Sequence, residues 1–358
     1  MKKRKWKWIL ISLLIVLIGL GSALTYYLYS VAADIHTSKE NSRFKDLYQD
    51  DEVQQYEPEV WEGTERVNIL LLGGDSRGIE NGEPPRSDTM IVVSVDPVSK
   101  QVHLLSILRD TWVDIPGHGQ SRINSAFATG GPYLAQKAVS EWLGIPIQYH
   151  IFVDFEGFIA LVDAVGGIDY YVEKDMYYSS RADGPAYTIN LKEGYQHLDG
   201  QKALQYVRFR HDAMSDYART ERQRNFLTAI ADKVQSTSSI MKFPSILNNV
   251  KKHIETNITP NNLLKLGNLA FDVRTSQVAS LQLPPFELLQ EVSIGGASVL
   301  TADQAQLQQF IQESFAKQPE PEQPAPTDAE GTHSSSGADG QTGESSSSLT
   351  EPASDSAS

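Results

Sequence analysis

The chain contains no cysteine. That absence excludes disulfide frameworks, thiolate zinc sites, iron–sulfur clusters and a cysteine nucleophile. Positive charge is also scarce: 31 Lys and Arg stand against 45 Asp and Glu, for a net charge of −14. A duplex-DNA binder needs a basic face against phosphate, so this balance argues against one. There is no G-x-x-x-x-G-K-[ST] run for an ATP-binding P-loop and no H-E-x-x-H for a zinc hydrolase; the eight His are scattered. From Gln318 to Ser358 there is no Lys, Arg or aromatic residue, but there are eight acids among Pro, Ser, Gly and Thr. Such a segment cannot bury enough surface to fold, so residues 318–358 are expected to be a disordered acidic tail.

What is present is enough for one or two ordinary domains: 358 residues, 40% of them hydrophobic. Ile9 to Leu28 is an almost unbroken apolar run without a charge. About 20 such residues in a helix cross a hydrocarbon core of ~30 Å. Trp6, Trp8, Tyr26, Tyr27 and Tyr29 flank it as interfacial aromatics do. Lys2, Lys3, Arg4, Lys5 and Lys7 precede it, which predicts a cytoplasmic tail at 1–8, a transmembrane helix at 9–29 and an extracytoplasmic remainder. A signal peptide cleaved near the small residues Ser30-Val31-Ala32 is the alternative, although the apolar run is long for one. Residues 30–60 are polar and read as a stalk, and residues 61–317 as the globular part.

Inside that part, Val67–Leu72 is a short apolar run closed by Gly73-Gly74, the pattern of a buried strand. Thr89–Asp96 and Gln101–Ile107 read as a strand pair, and Tyr149–Phe155, Ile168–Val172 and Val278–Leu283 as further strands. Helices are predicted at Pro132–Leu143, Glu156–Val165, Asp199–Tyr206, Glu221–Val234, Pro260–Phe271 and Thr301–Phe315. Thr301 with Gln304, and Thr220 with Gln223, fit capping boxes. The mixture points to an α/β fold with a sheet covered on both faces.

Chemistry concentrates in three places. Gly73-Gly74-Asp75-Ser76-Arg77-Gly78 follows the first strand. Arg86-Ser87-Asp88-Thr89 precedes the second, and Leu108-Arg109-Asp110 ends the third. Arg208, Arg210, Arg219, Arg222 and Arg224 fall within 17 residues that contain no Lys, in an acidic protein. Arg without Lys suits planar, bidentate recognition of phosphate or carboxylate; a solvated helix face paired with Asp212, Asp216 and Glu221 is the plainer reading. Arg219 and Gln223 share a helix face. Strand-like alternation would aim Arg208 and Arg210 the same way and turn Phe209 to the core. Asp75 and Asp88 suit either turn and cap positions or a Mg²⁺ (or Mn²⁺) ion shared with phosphate oxygens. Gly74-Asp75-Ser76-Arg77-Gly78 also matches the G-x-S-x-G of esterases, but Ile-Glu-Asn-Gly-Glu-Pro-Pro follows where that motif needs a helix.

Taken together, VNILLLGGDSRG, RSDTMIVVSVD, SILRDTWVDIPG, INSAF, LDGQKALQYVRFR and DYARTERQR resemble the LytR–CpsA–Psr family of bacterial envelope proteins, over roughly Val67 to Val234. The resemblance implies a three-layer α/β/α domain with a central mixed sheet behind one membrane helix. It also implies binding of a polyprenyl-pyrophosphate lipid and transfer of a teichoic-acid or capsular glycopolymer to a peptidoglycan hydroxyl. Carried over by motif, Asp75 and Asp88 are its acids, with Asp88 tied to Mg²⁺. Arg86, Arg109, Arg208, Arg210, Arg219 and Gln223 form its pyrophosphate clamp, with Asp216 in the same loop and Arg77 and Arg222 as further candidates. Catalytic roles fall to Asp75, Arg109, Arg208 and Arg210. The lipid tail would run against the helices at 132–143, 156–165 and 221–234. A lipid-phosphate-binding regulator or scaffold, a pyrophosphatase on the same lipid and a transcription attenuator are the competing functions; external placement and acidic charge oppose the last.

Overall fold

A computed structural model describes residues 22–23, 25–75, 86–179, 188–210, 215–236, 243–273 and 278–317. The expected cytoplasmic tail, most of the expected membrane helix and the acidic tail at 318–358 lie outside these residues. No described helix is long and apolar enough to cross a membrane.

The apolar run at Val67 extends into β1 (Val67–Asp75), the middle of a six-stranded mixed sheet. With β2 (Arg86–Val95), β3 (Val102–Ile107), β4 (Tyr149–Asp154), β5 (Ile254–Thr256) and β6 (Val278–Leu283), the spatial order is β5-β4-β1-β2-β3-β6. β1 runs parallel to β4 and β3 parallel to β6, while β2 is antiparallel to both β1 and β3. The carboxyl ends of β1, β3, β4 and β6 therefore share one edge, the edge at which α/β sheets bind ligands.

Strand side chains alternate between faces, and both faces are covered. Leu70, Leu72, Met90, Val92, Leu105 and Ile107 pack in one core with Phe127, Leu134 and Val139 of α2 (Ser125–Leu143) and with Leu307 and Ile311 of α7 (Gln304–Ala316). Ile69, Ile91 and Leu104 face the other way, toward Leu269 of α6 (Pro260–Asp272) and Leu227 of α5 (Ser215–Gln235). A third core holds α3 (Phe155–Ala164) and α4 (Gly200–Arg208) against α5 through Val162, Tyr206 and Phe226.

The expected stalk is corrected. Residues 25–35 form helix α1, with Val31, Ala32 and Ile35 buried. Phe44 is 1% exposed in the first core beside Tyr48 and Val53, its ring edge-on to Phe127 and Phe152. Arg43 fixes the segment further through Asp154 at 3.0 Å and Glu255 at 2.5 Å. Averaged polarity hid a few well-spaced anchors. Phe44→Ala is expected to cost about 3–5 kcal/mol by chemical denaturation, whereas a stalk residue would change stability by less than ~0.5 kcal/mol.

Both predicted capping boxes are also corrected. Asp303 caps α7 by accepting from Gln306 N at 2.9 Å, while Thr301 belongs to a strand. Thr220 and Gln223 lie inside α5, which begins at Ser215.

Candidate functional site

A β-bulge sets the site. β1 and β2 pair Gly73 with Thr89 but Gly74 with Ser87, so Asp88 has no partner across the ladder. Such a bulge re-aims one side chain. Gly73 permits it, because a Cβ there would stand 3.0 Å from Thr89 Cβ.

Three guanidinium groups meet at Asp88. Arg109, just past β3, places Nη1 2.6 Å from Asp88 Oδ1. Arg210, just past α4, places Nη2 3.1 Å from Oδ2. Arg219, in the first turns of α5, donates from Nη2 to the Asp88 carbonyl at 3.2 Å and pairs with Asp216 Oδ1 at 2.8 Å. Asp216 also lies 3.9 Å from Arg109 Nε. Burial alone would raise the Asp88 pKa, but Arg210, Arg109 and Arg219 outweigh it and hold the carboxyl below its usual range. Burial lowers Arg219 to about 10, so it stays cationic at neutral pH.

Arg219 is 1% exposed, yet its Nε and Nη1 have no hydrogen-bond partner, and neither do Arg109 Nε and Asp216 Oδ2. Of these, the orphaned guanidinium nitrogens are donors, costly when buried, and call for an acceptor. Arg219 lines a cavity of about 360 Å³, with Asp88, Arg208, Arg210 and Gln223 beside it at one end. Its apolar walls are Phe155, Phe158, Leu161, Leu204, Val207, Phe226 and Ile230. A second apolar cavity of about 820 Å³ shares the walls Leu71 and Leu227 and is closed by α1 through Leu28, Val31, Ala32 and Ile35.

The residues expected at the site therefore separate. Asp88, Arg208, Arg210, Arg219 and Gln223 line one end of the cavity, and Arg109 and Asp216 join them through Asp88 and Arg219 without lining it themselves. Arg208 ends helix α4 with its guanidinium 5.0 Å over the Phe155 ring. The strand expected through Arg208 and Arg210 is thus replaced by a helix end and an extended cap at Phe209, which is buried as anticipated. Gln223 lines the cavity while its Nε2 holds the Val207 carbonyl at 3.2 Å. Asp75 ends β1, half-buried and paired along the ladder with Arg86, and is not among the residues lining the cavity. Arg77 lies outside the described residues.

Arg222 is corrected. It is buried on another side of α5, its Nη1 3.0 Å from Glu173 and its Nη2 donating to the Phe209 carbonyl at 2.6 Å. It secures the turn that carries Arg210. Arg222→Met is expected to lower stability by about 1–3 kcal/mol and to leave diphosphate affinity, per folded molecule, unchanged.

The helix at 132–143 is no lipid wall, since α2 lies across the sheet. Leu204 and Val207 of α4 supply the wall instead, and their apolar spacing around Arg208 was the available signal. Asp154 also lines the cavity, but it caps α3 through Gly157 N at 2.8 Å and pairs with Arg43.

The model of the LytR_cpsA_psr family matches residues 23–316. This chain belongs to the LytR–CpsA–Psr family. Among curated relatives, polyisoprenyl-teichoic acid--peptidoglycan teichoic acid transferase TagU of Enterococcus faecalis is 38% identical over 256 residues, covering 70% of this chain and 78% of TagU. Regulatory protein MsrR of Staphylococcus aureus is 35% identical over 222 residues, covering 61% of this chain and 64% of MsrR. The chain thus spans less than two thirds of the MsrR relatives. Among solved structures, the family protein YwtF (TagT) with bound octaprenyl pyrophosphate lipid superposes with a TM-score of 0.53 at 27% identity, covering 71% of this chain and 91% of that one. The central mixed sheet is the fold these family members share.

Proposed function

We propose that the protein is a membrane-anchored phosphotransferase. It moves an anionic glycopolymer of teichoic-acid or capsular type from a polyprenyl-pyrophosphate carrier to a peptidoglycan hydroxyl outside the cell. One observation carries this reading: buried, unsatisfied guanidinium donors sit at the mouth of an apolar cavity. Diphosphate and isoprenoid are the two halves of a ligand that satisfies both. The second cavity extends the apolar path toward α1, which continues the expected membrane helix.

The chemistry follows from the charges. An external site has no ATP, so the energy resides in the pyrophosphate bond. The acceptor oxygen attacks the phosphorus bonded to the polymer, and polyprenyl phosphate leaves. Arg109, Arg210 and Arg219 neutralise the charge that develops on the leaving side. The amino end of α5 adds its partial positive charge. Asp75 is the proposed proton acceptor for the incoming hydroxyl. The oxygen-only donor set, with an ionised Asp88 and a partnerless Asp216 Oδ2, fits a hard cation. Asp88, with Asp75, would hold Mg²⁺ or Mn²⁺, which when bound offsets diphosphate charge. Among the described residues there is no group of three or more His, Asp or Glu that could hold a metal ion.

The protein is to be incubated with lipid-linked polymer, peptidoglycan and Mg²⁺. Covalent product that Arg109→Ala abolishes is the expected result. Tight lipid binding without product would leave a regulatory binder, the role in the MsrR name. Phosphate release without any acceptor would make the protein a pyrophosphatase.

A further inference from the structure

Helix α5 presents a second polar face. Tyr217, Glu221 and Arg224 follow at i, i+4 and i+7, opposite Arg219, Gln223 and Phe226. With Gln282, Phe286 and Phe310 they line a separate open depression of about 500 Å³. Arg224 is 7% exposed, yet its Nε and Nη1 have no hydrogen-bond partner. The Tyr217 hydroxyl lies against the Gln282 side chain, and both line the depression. Gln282 is held from its other end, where Oε1 accepts from Thr220 Oγ1 at 3.1 Å. The orphaned guanidinium nitrogens of Arg224 can only donate, so the depression asks for acceptor atoms there, beside the carboxylates of Glu221 and Glu287 that also line it. Beside them Phe286 is 70% exposed, with its ring 6.2 Å from Tyr217. An outward aromatic next to buried donors is the composition of a saccharide-binding surface rather than of a core.

Position gives the depression its role. Leu283, at the end of β6, pairs with Ile107, two residues before Arg109. Tyr217 directly follows Asp216. Both walls therefore adjoin the arginine cluster, while the isoprenoid cavity lies on the other face of α5.

We propose that this depression binds the acceptor, a carboxylate-bearing glycan strand. Its carboxylate lies on Arg224 with Tyr217 and Gln282, and a sugar ring lies on Phe286. The assignment deepens the transferase reading and rests on it for the name acceptor.

The test uses the full chain and a soluble peptidoglycan fragment with free carboxylates, beside the same fragment amidated. Phe286→Ala and Arg224→Met are each expected to raise the fragment's Kd by ~10-fold or more and to leave polyprenyl diphosphate affinity unchanged. Arg224→Met is also expected to keep or raise Tm, because it removes an unpaired buried charge. Unchanged fragment binding in both variants would overturn the proposal. So would equal wild-type affinity for the amidated fragment, or a fall in Tm with Arg224→Met together with normal binding by Phe286→Ala. If no covalent product ever forms but both variants lose fragment binding, the transferase reading fails and the saccharide site stands. If product forms with the same acceptor dependence in both variants, the site alone fails.

Discussion

Arg219→Ala is expected to lower the transfer rate by about 10²–10³-fold, the usual cost of removing one preorganised donor from developing charge. The residue is buried, holds Asp216 and the Asp88 carbonyl with one nitrogen, and keeps two nitrogens unsatisfied. Those two are free for phosphate oxygens. Arg219→Lys is expected not to restore the rate, because an ammonium cannot meet two protein acceptors and a diphosphate in one plane. Arg219→Met separates function from fold. It fills much of the same volume and removes a desolvated charge, so Tm is expected to hold or rise while diphosphate affinity collapses. Single-turnover transfer, lipid binding and thermal melts on the three variants make the comparison. Full turnover by Arg219→Met would remove Arg219 from the mechanism.

Asp88→Asn is the second large effect, and it has the opposite signature in binding. The substitution preserves shape but removes the carboxylate that bridges Arg109 and Arg210. Diphosphate affinity without divalent cation is expected to be retained or to tighten, since the pocket becomes more positive. Transfer is expected to fall by about 10²-fold or more as charge balance and the proposed cation are lost. Asp88 also gives a pH signature. Its folded carboxyl is held below the usual range, so its stabilising contribution is full above the ordinary Asp pKa of ~3.9 and fades as pH falls through the lower folded value. Thermal melts of wild type from neutral pH to ~pH 3 should show that acid loss, and Asp88→Asn should flatten it. Equal acid sensitivity in the two proteins would show that Asp88 is not clamped by the arginines.

Much of this site was legible in the chain because the information is local. An apolar run closed by two glycines makes β1, and helical spacing makes α3, α5 and α6. Arg in place of Lys points to a planar anion as the expected ligand, and the family motifs contain Arg109, Arg210 and Arg219, which meet at Asp88. Arg222 was not separable from Arg219 in this way. Within Arg219-Thr220-Glu221-Arg222-Gln223-Arg224, three guanidiniums leave one helix about 100° apart per residue. Chemistry is the same for each, and only the surfaces against which α5 packs decide their roles. Arg219 faces the first apolar cavity, Arg222 faces Glu173 and Arg224 faces the open depression.

The sequence by itself determined most of the elements and the acidic balance, since hydrophobic period and side-chain chemistry act over a few residues. Tertiary structure alone decided the register slip that turns Asp88 inward and the docking of residues 36–56 against the sheet. It also set the face of the sheet on which each helix lies. Those depend on contacts between residues far apart in the chain, where the free energy of a buried face is shared with a partner that no local window contains.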